Sequence, residues 1–316
     1  MRHTKPIVII LLGLLSLPLA ASDLGGYTGA SLRLAPDAIS AGNGGITLFE
    51  STSSVSLLSN PAAASWSTGR RLSANLVNLS LDRYLYAAGL ELPLPPTAHL
   101  GVAVVAAGTS DIDARDNRGY YAGKLNDSET FVIASFANRL ARRFAVGVTL
   151  KMVNRHLGVA DEDWLDLTAK GFGVNVGLLW KATTSGQLAL AIRDLNTSYN
   201  WKTQDYFPQG SSYRDVFPAN LAWGWQQQLG DWTLSSEHAI YFIGEQIGRM
   251  AVNWQGLELL ELRLGLQLDA DGLRAGGGGS LRVPWQKGPP MRLDLGMIPG
   301  VSGEGMRTYL GWTLTF

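Results

Sequence analysis

The run Arg143-Phe144-Ala145-Val146-Gly147-Val148-Thr149-Leu150-Lys151-Met152 decides the fold class. On an extended chain its large apolar side chains all fall on one face, and its small or polar residues fall on the other. The stretches 261–268 and 291–297 repeat this pattern, with leucines opposite charges and glycines. Alternation with a period of two over about ten residues is typical of a transmembrane β-barrel strand.

Most of the chain divides into similar segments. We predict strands near residues 72–81, 84–92, 98–108, 128–137, 143–154, 169–180, 186–194, 218–229, 231–241, 246–254, 258–268, 272–283, 290–298 and 306–316. The count is about fourteen, and closed single-chain barrels have an even number of strands. The long connections 109–127, 155–168 and 195–217 all fall on one side of this count. We therefore expect an all-β fold, a transmembrane antiparallel β-barrel of about 14 strands.

Composition narrows the functional classes. The 316 residues include 26 Lys plus Arg and 26 Asp plus Glu, so the formal net charge is zero. This balance gives no electrostatic reason to expect nucleic acid as a partner. The chain has no cysteine, which excludes disulfides, thiol catalysis and cysteine-ligated metals. A soluble β-rich domain is the remaining alternative to the barrel.

The N-terminus predicts export from the cytoplasm. Arg2, His3 and Lys5 precede an apolar run over residues 7–19, and the small residues 20–22 follow. A basic start, a short apolar core and small residues are typical of a signal peptide, here residues 1–22. A membrane anchor is the alternative, but the run is shorter than the ~20 residues that span a bilayer. Together with the barrel pattern, this predicts the cell outer membrane as the location.

Aromatic residues and the last strand fit this location. We expect outward-facing aromatic girdles at the membrane interfaces, formed by Trp180, Trp223, Trp225, Trp254, Trp312 and Phe316. The alternative is that these rings fill a soluble β-core. Gly311, Leu314 and the terminal Phe316 resemble the signal that the barrel assembly machinery reads. The expected partners are therefore outer-membrane lipid and that machinery.

Residues 23–70 lack strand alternation and carry a different motif. The run Ala38-Ile39-Ser40-Ala41-Gly42-Asn43-Gly44-Gly45 is followed, after a short spacer, by Asn60-Pro61-Ala62. In this order the segment resembles the PorV/PorQ family, within the wider FadL-like group of outer-membrane barrels. It differs from that family at Ile39, where arginine is usual, and at Asn43, where methionine is usual.

The resemblance implies that residues 23–70 form a plug inside a barrel of residues 71–316. Glycines at Gly42, Gly44 and Gly45 would let the plug backbone approach the wall closely. Asn60 and Pro61 would form a rigid turn that leads toward the first strand. The alternative is an ordinary linker with a periplasmic helix.

Charged residues on the inward phase allow two interpretations. One is an ion network that braces the plug. The other is that Arg249, Arg263 and Arg292 receive an anionic head group, such as a carboxylate, from a ligand. Tyrosines and other aromatic residues in the 195–217 connection, including Tyr199, suit contact with protein or lipid.

The sequence gives little support for catalysis or metal binding. His99, His156 and His238 show neither H-x-x-x-H nor H-E-x-x-H spacing, so we expect no metal site. Ser236 and His238 would share one strand face without an evident third partner for a hydrolase. We therefore expect a protein that is not an enzyme and has no cofactor.

The resemblance leaves function open between two main roles. The PorV/PorQ branch implies a component of type IX-like secretion or surface attachment, whose partners are secreted proteins with C-terminal signal domains. The wider FadL-like group implies passive transport of a hydrophobic ligand. A purely structural barrel is a third class. The PorV-like motif order favours the secretion role, and transport predicts an apolar pocket between plug and wall.

Overall fold

The fold is known here from a computed structural model that describes residues 24–67, 69–159, 166–203, 209, 212–284, 288–300 and 305–316. Sixteen β-strands lie within these ranges. They are β1 (Arg71–Asn78), β2 (Arg83–Leu94), β3 (Ala98–Arg115), β4 (Tyr121–Ala141), β5 (Phe144–Val159), β6 (Asp166–Trp180), β7 (Gly186–Leu195), β8 (Ser198–Lys202), β9 (Ser212–Val216), β10 (Asn220–Leu229), β11 (Trp232–Tyr241), β12 (Gln246–Trp254), β13 (Leu260–Asp269), β14 (Gly272–Val283), β15 (Met291–Pro299) and β16 (Met306–Thr315). The predicted signal peptide, residues 1–22, lies outside the described residues.

Fourteen of these strands form a closed antiparallel barrel. Neighbours in sequence pair with each other, β7 pairs with β10, and β16 returns to β1 through the register Leu72↔Leu314. Beyond β16, Arg70 and Phe316 exchange two backbone hydrogen bonds of 2.9 and 3.0 Å. The predicted all-β barrel of about fourteen strands is therefore confirmed.

Side-chain burial alternates along the strands as the sequence predicts. On β13, Leu262, Leu264 and Leu266 are exposed on the outer surface, whereas Arg263 is buried in the lumen. The same alternation recurs on β3, where Val102 and Val104 are exposed and Ala103 is buried. The barrel thus carries its large apolar side chains outside and its polar and small ones inside.

The two ends of the barrel differ. The end that carries Phe316, which we call the base, has short connections such as 95–97, 142–143 and 230–231. The opposite end, which we call the mouth, carries the longest connection, 196–219 between β7 and β10, which contains β8 and β9. There β3 continues to Arg115 and β4 begins at Tyr121. Most of the predicted loop 109–127 is therefore strand. Extended antiparallel pairing satisfies the backbone groups that a loop would leave to water.

The predicted 195–217 loop also contains strands. β8 pairs with the mouth end of β6 through Ala169↔Trp201, and β8 pairs with β9 as a hairpin. Between β7 and β8 the chain bends at Asp194 and Asn196, which both adopt positive φ angles of 61° and 52°. The bend carries the chain inward over β6, where Gly171 and Gly173 leave room for it.

Residues 24–67, which we call the luminal segment, lie inside the barrel. They form short 3-10 helices at Leu24–Gly26, Ala30–Arg33, Ser54–Leu58 and Pro61–Trp66, and one α-helix, α1, at Ala38–Gly42. α1 packs against β13 to β16, and Pro61–Trp66 packs against β3 to β6. No helix in the described ranges is both long and apolar enough to cross a membrane.

Glycines on the wall let α1 approach it at backbone distance. A Cβ atom built on Gly265 would lie 2.1 Å from the Asn43 carbonyl carbon, and one on Gly296 would lie 2.3 Å from the Ala38 oxygen. Side chains at these two positions would therefore displace the luminal segment. The alternation of β13 to β15 thus builds a glycine surface under α1.

Candidate functional site

A cavity of about 680 Å³ occupies the mouth half of the lumen. Its sides are the inward residues of the strands, from Ala107 on β3 to Tyr309 on β16. Residues 24–35 of the luminal segment also line it, and the buried residues 37–66 fill the lumen toward the base. The cavity therefore lies between the mouth and a polypeptide barrier.

One side of the cavity is charged. Lys151 on β5 forms an ion pair with Asp194 at the end of β7. Arg193 and Arg249 both bind Glu237, through N···O distances of 3.3 and 3.0 Å. These cations have carboxylate partners within the wall, so burial of their charges is compensated.

Glu237 also holds the luminal segment. This carboxylate is fully buried and accepts the backbone N–H groups of Thr47 and Leu48 at 2.8 and 3.1 Å. Arg193 donates to the Thr47 hydroxyl at 2.8 Å and to the Ser59 carbonyl at 3.1 Å. The Glu237 junction, formed by Glu237, Arg193, Arg249 and residues 47–48, thus joins β7, β11 and β12 to the luminal segment.

The cavity also has apolar lining residues, which alternate with charged ones such as Arg83 on β2 and Arg307 on β16. Leu79 follows β1, Ala107 lies on β3 and Ile298 lies on β15, so these residues come from adjacent parts of the wall. Leu32 and Leu34 of the luminal segment face the same cavity. A ligand here would meet apolar and charged side chains together.

An apolar cluster lies at the mouth against β4. Tyr199 on β8 and Phe217 after β9 are buried against Phe131 of β4. The ring centroids of Tyr199 and Phe217 are 5.0 Å apart. The guanidinium carbon of Arg155 lies 5.9 Å from the centroid of the Trp201 ring. The same guanidinium forms an ion pair with Asp127 of β4, with an N···O distance of 2.6 Å. The β8–β9 hairpin is therefore anchored in the mouth by Tyr199 of β8, whereas β9 is largely exposed.

The three arginines predicted to receive a ligand do not converge. Arg249 lines the cavity, but Arg263 lies beside Gly42 of α1, and Arg292 lies near the base and donates to the Thr52 carbonyl at 3.1 Å. Each has a carboxylate partner on the barrel: Glu237, Glu261 and Asp294 respectively. Such pairing favours the bracing network over the head-group hypothesis.

The predicted plug motif lies against the wall. A Cβ atom built on Gly42 would lie 3.3–3.4 Å from atoms of Gly278 and Arg263. Gly44, beside β13, and Gly45, beside Arg249, adopt positive φ angles of 64° and 91°. Asn60 does not form a turn into β1. Its side chain caps the 3-10 helix that begins at Pro61, by accepting the Ala62 N–H at 3.1 Å, and it donates to the Leu48 carbonyl at 2.8 Å.

A buried carboxyl group lies at the start of α1. Asp37 caps this helix by accepting the Ser40 N–H at 2.7 Å. Burial raises the pKa of Asp37 to about 6, and the nearby Glu50 adds to the effect. The luminal segment therefore contains a group that titrates between acid and neutral pH.

The remaining candidates lie away from the cavity. Gly311 faces the lumen near Asn75, whereas Leu314 and Phe316 lie on the last strand at the base. Ser236 and His238 alternate with luminal Glu237 and so face outward, where the Trp223 ring covers His238 at 4.5 Å. The assembly role of the last strand stays a prediction. No group of three or more potential metal ligands occurs among the described residues.

Sequence reasoning missed several cavity residues. It did not identify residues 24–35 as lining, nor Asp194 and Asp269 as partners of Lys151 and Arg274. The aromatic content of the 195–217 connection was the available signal for the mouth cluster. The acidic residues 161–163 of the predicted 155–168 loop lie outside the described residues.

Comparisons with known proteins support the fold. No protein-family model matches the sequence, and a comparison with curated proteins gives no match. Among solved structures, the CymD monoaromatic hydrocarbon channel is 12% identical, with a TM-score of 0.67 over 90% of this chain and 98% of that one. The Ralstonia pickettii toluene transporter TbuX is 12% identical, with a TM-score of 0.63 over 89% and 98%.

A Pseudomonas aeruginosa FadL homologue is also 12% identical, with a TM-score of 0.60 over 88% of this chain and 96% of that one. All three likenesses extend over nearly the whole length of both chains. They give no support to the PorV/PorQ branch in particular. The chain has the fold of the FadL-like barrels.

Proposed function

We propose that the protein is an outer-membrane channel that admits small hydrophobic molecules. The observation that carries the proposal is the cavity of about 680 Å³, whose lining includes Leu79, Ala107 and Ile298 of the wall and which lies against the luminal segment. The barrels of similar fold are a monoaromatic hydrocarbon channel and a toluene transporter. An apolar pocket between the luminal segment and the wall is what the transport hypothesis predicts.

The outer surface supports a membrane location. Leucines at 262, 264 and 266 on β13, and their equivalents on neighbouring strands, expose large apolar side chains to the outside. Exposed apolar surface of this extent is costly in water and favourable in lipid. The closed hydrogen-bond ladder leaves the barrel backbone paired, as a bilayer requires.

The secretion role implied by the PorV/PorQ resemblance lacks a specific observation in its favour. The mouth connections at 116–120, 242–245 and 270–271 are short, and the β8–β9 hairpin is anchored inside the mouth by Tyr199. A secretion component would be expected to present a large external loop surface. We therefore place transport first.

Passage through the lumen would require the luminal segment to shift. Ser54 Oγ of this segment lies 3.3 Å from Ser73 Oγ of β1, and Ser73 Oγ lies 3.0 Å from Thr313 Oγ1 of β16. The chain has no cysteine, so paired cysteines can be introduced without competing thiols. These positions provide a cross-link and a matched control that share one residue.

The test is uptake of radiolabelled toluene by cells that express the protein in their outer membrane. We expect cells that express the wild-type protein to take up more toluene than a control strain that lacks it. The S54C/S73C variant should lose most of this gain when oxidised and recover it on reduction. The S73C/T313C variant, which joins two wall strands, should transport in both states.

One result would overturn the proposed transport, and another would overturn the required shift of the luminal segment. Uptake equal to the control strain in the wild type would remove the transport function. Full uptake by oxidised S54C/S73C would keep transport but show that toluene leaves the barrel without movement of the luminal segment at Ser54.

A further inference from the structure

Phe217 is buried although the chain beside it is exposed. Its side chain is 3% exposed, whereas that of Val216 is 47% exposed. Phe217 lies after the end of β9 and before the start of β10, so it belongs to neither strand. The chain turns inward at this residue and places one ring inside the mouth.

The ring fits an aromatic-sized space. It meets Phe131 edge-on, with centroids 6.5 Å apart and planes at 87°, and it lies 5.0 Å from the Tyr199 ring. On its third side it touches Gly29, where a built Cβ would lie 2.2 Å from the Phe217 ring. Gly29 also has a φ of 75°, so both space and backbone favour glycine there.

This space adjoins the cavity through residues of the luminal segment. Gly29 and Leu32 contact the ring or its cluster, and both also line the cavity. Phe217 donates its backbone N–H to the Thr197 carbonyl at 3.0 Å, outside the strand ladders. Movement of the ring toward the outside would therefore leave intact the pairing of β9 with β8 and of β10 with β7 and β11.

We propose that the space filled by the Phe217 ring is the outer binding site for an uncharged, apolar ligand of about the size of one aromatic ring, and that the ligand displaces Phe217 from it. The inference rests on the proposed transport function. Phe131 and Tyr199 present the ring faces and edges that such a ligand would contact. A charged ligand would lose hydration here, and Arg155, the cation over the neighbouring Trp201 ring, is already paired with Asp127.

The test uses fluorine NMR on the full protein in lipid nanodiscs. One sample carries 4-fluorophenylalanine at position 217, a second carries it at position 131, and a third carries a trifluoromethyl tag on T109C, because Thr109 lines the cavity. Toluene is the probe, and benzoate is the charged control with the same ring. We expect toluene to expose the fluorine at 217 to solvent, to leave 131 buried and to shift the tag saturably.

A matched pair of variants gives an independent readout. In F217A the ligand has no ring to displace, so toluene should bind about tenfold more tightly if the site is open about a tenth of the time in the wild type. F217L keeps an apolar filling and should fall between F217A and the wild type. F131A removes part of the site and should weaken binding.

The outcomes separate this inference from the proposed function. Saturable toluene binding at the tag with the fluorine at 217 still buried would overturn the inference and leave transport standing. Absence of toluene binding at the tag would overturn both. Equal displacement by benzoate would overturn the requirement for an uncharged ligand.

Discussion

The two parts of the luminal segment are held in different ways. Residues 37–66 have polar contacts to the wall on several sides, such as the Ala38 N–H to Asn75 at 3.3 Å and Thr149 to the Leu57 carbonyl at 2.8 Å. In residues 24–35, Arg33 donates only to the segment's own carbonyls, including that of Thr28 at 2.8 Å. Apolar packing and the Ser31–Glu129 contact join this outer part to the wall.

The difference indicates which part responds to a ligand. Directional hydrogen bonds to a buried charge are lost abruptly when a group moves, whereas apolar contacts can be exchanged for contacts with a ligand. The outer part, which lines the cavity and touches Phe217, is therefore the part that a hydrophobic molecule can rearrange. The inner part forms the barrier.

Glu237→Gln should have the largest effect on the difference between the inner and outer parts of the luminal segment. It removes the charge that compensates buried Arg193 and Arg249, and breaking such a buried arrangement costs about 3–5 kcal/mol. We expect amide hydrogen exchange at residues 46–49 to rise strongly, with much less change at residues 30–34. The same substitution at exposed Glu258, in a base connection, is the control.

The outcome for Glu237→Gln tests the role of the junction directly. Equal loss of protection in both parts of the segment would show that they form one unit. Unchanged protection at 46–49 would show that the glycine surface alone holds the inner part.

Gly276→Ala should have an intermediate effect. A Cβ at Gly276 would lie 2.6 Å from the Ala41 carbonyl oxygen of α1, whereas one at the adjacent Gly277 would meet its nearest atom at 3.8 Å. Overpacking of this kind typically costs about 1–3 kcal/mol. Protection of residues 38–44 should fall in Gly276→Ala and stay near wild type in Gly277→Ala. Similar values for both variants would refute the close fit of α1 to the wall.

Asp37→Asn should have the smallest effect, visible mainly as a change in pH dependence. Because the pKa of Asp37 is raised from 3.8 to about 6, its stabilising contribution is present at low pH and is lost as pH rises through 6. Protection factors for residues 38–42 should therefore be higher at pH 5 than at pH 7.5 in the wild type. Asparagine still caps α1, and the variant should show little difference between the two pH values.

Strand alternation was sufficient to predict the fold. A period of two determines which face a residue occupies, so Glu237 and Arg249 could be placed in the lumen from their positions alone. It does not determine which strands pair at which height. The partners of Lys151 and Arg274 therefore required the register, and Asp194 becomes a partner only because β7 bends there.

The luminal segment was harder to predict because short 3-10 turns have no long period. Its motif glycines indicated close approach to the wall, and they lie there. The motif gave no indication that Thr47 and Leu48 would donate to Glu237. Phe217 was also beyond prediction, since its burial depends on Gly29, which is far away in sequence.

The unequal strand lengths make the rim of the mouth higher on one side of the barrel than on the other. β4 has 21 residues and β12 has nine, and most of the excess lies at the mouth, where β3 continues beyond Thr109, the last residue that pairs with β2. The six residues of β3 beyond Thr109, 110–115, raise this side of the rim by roughly 15 Å on a tilted strand. A molecule that approaches from the β11–β14 side meets a low rim in front of the cavity. One that approaches from the β3–β5 side meets the extended ends of these strands.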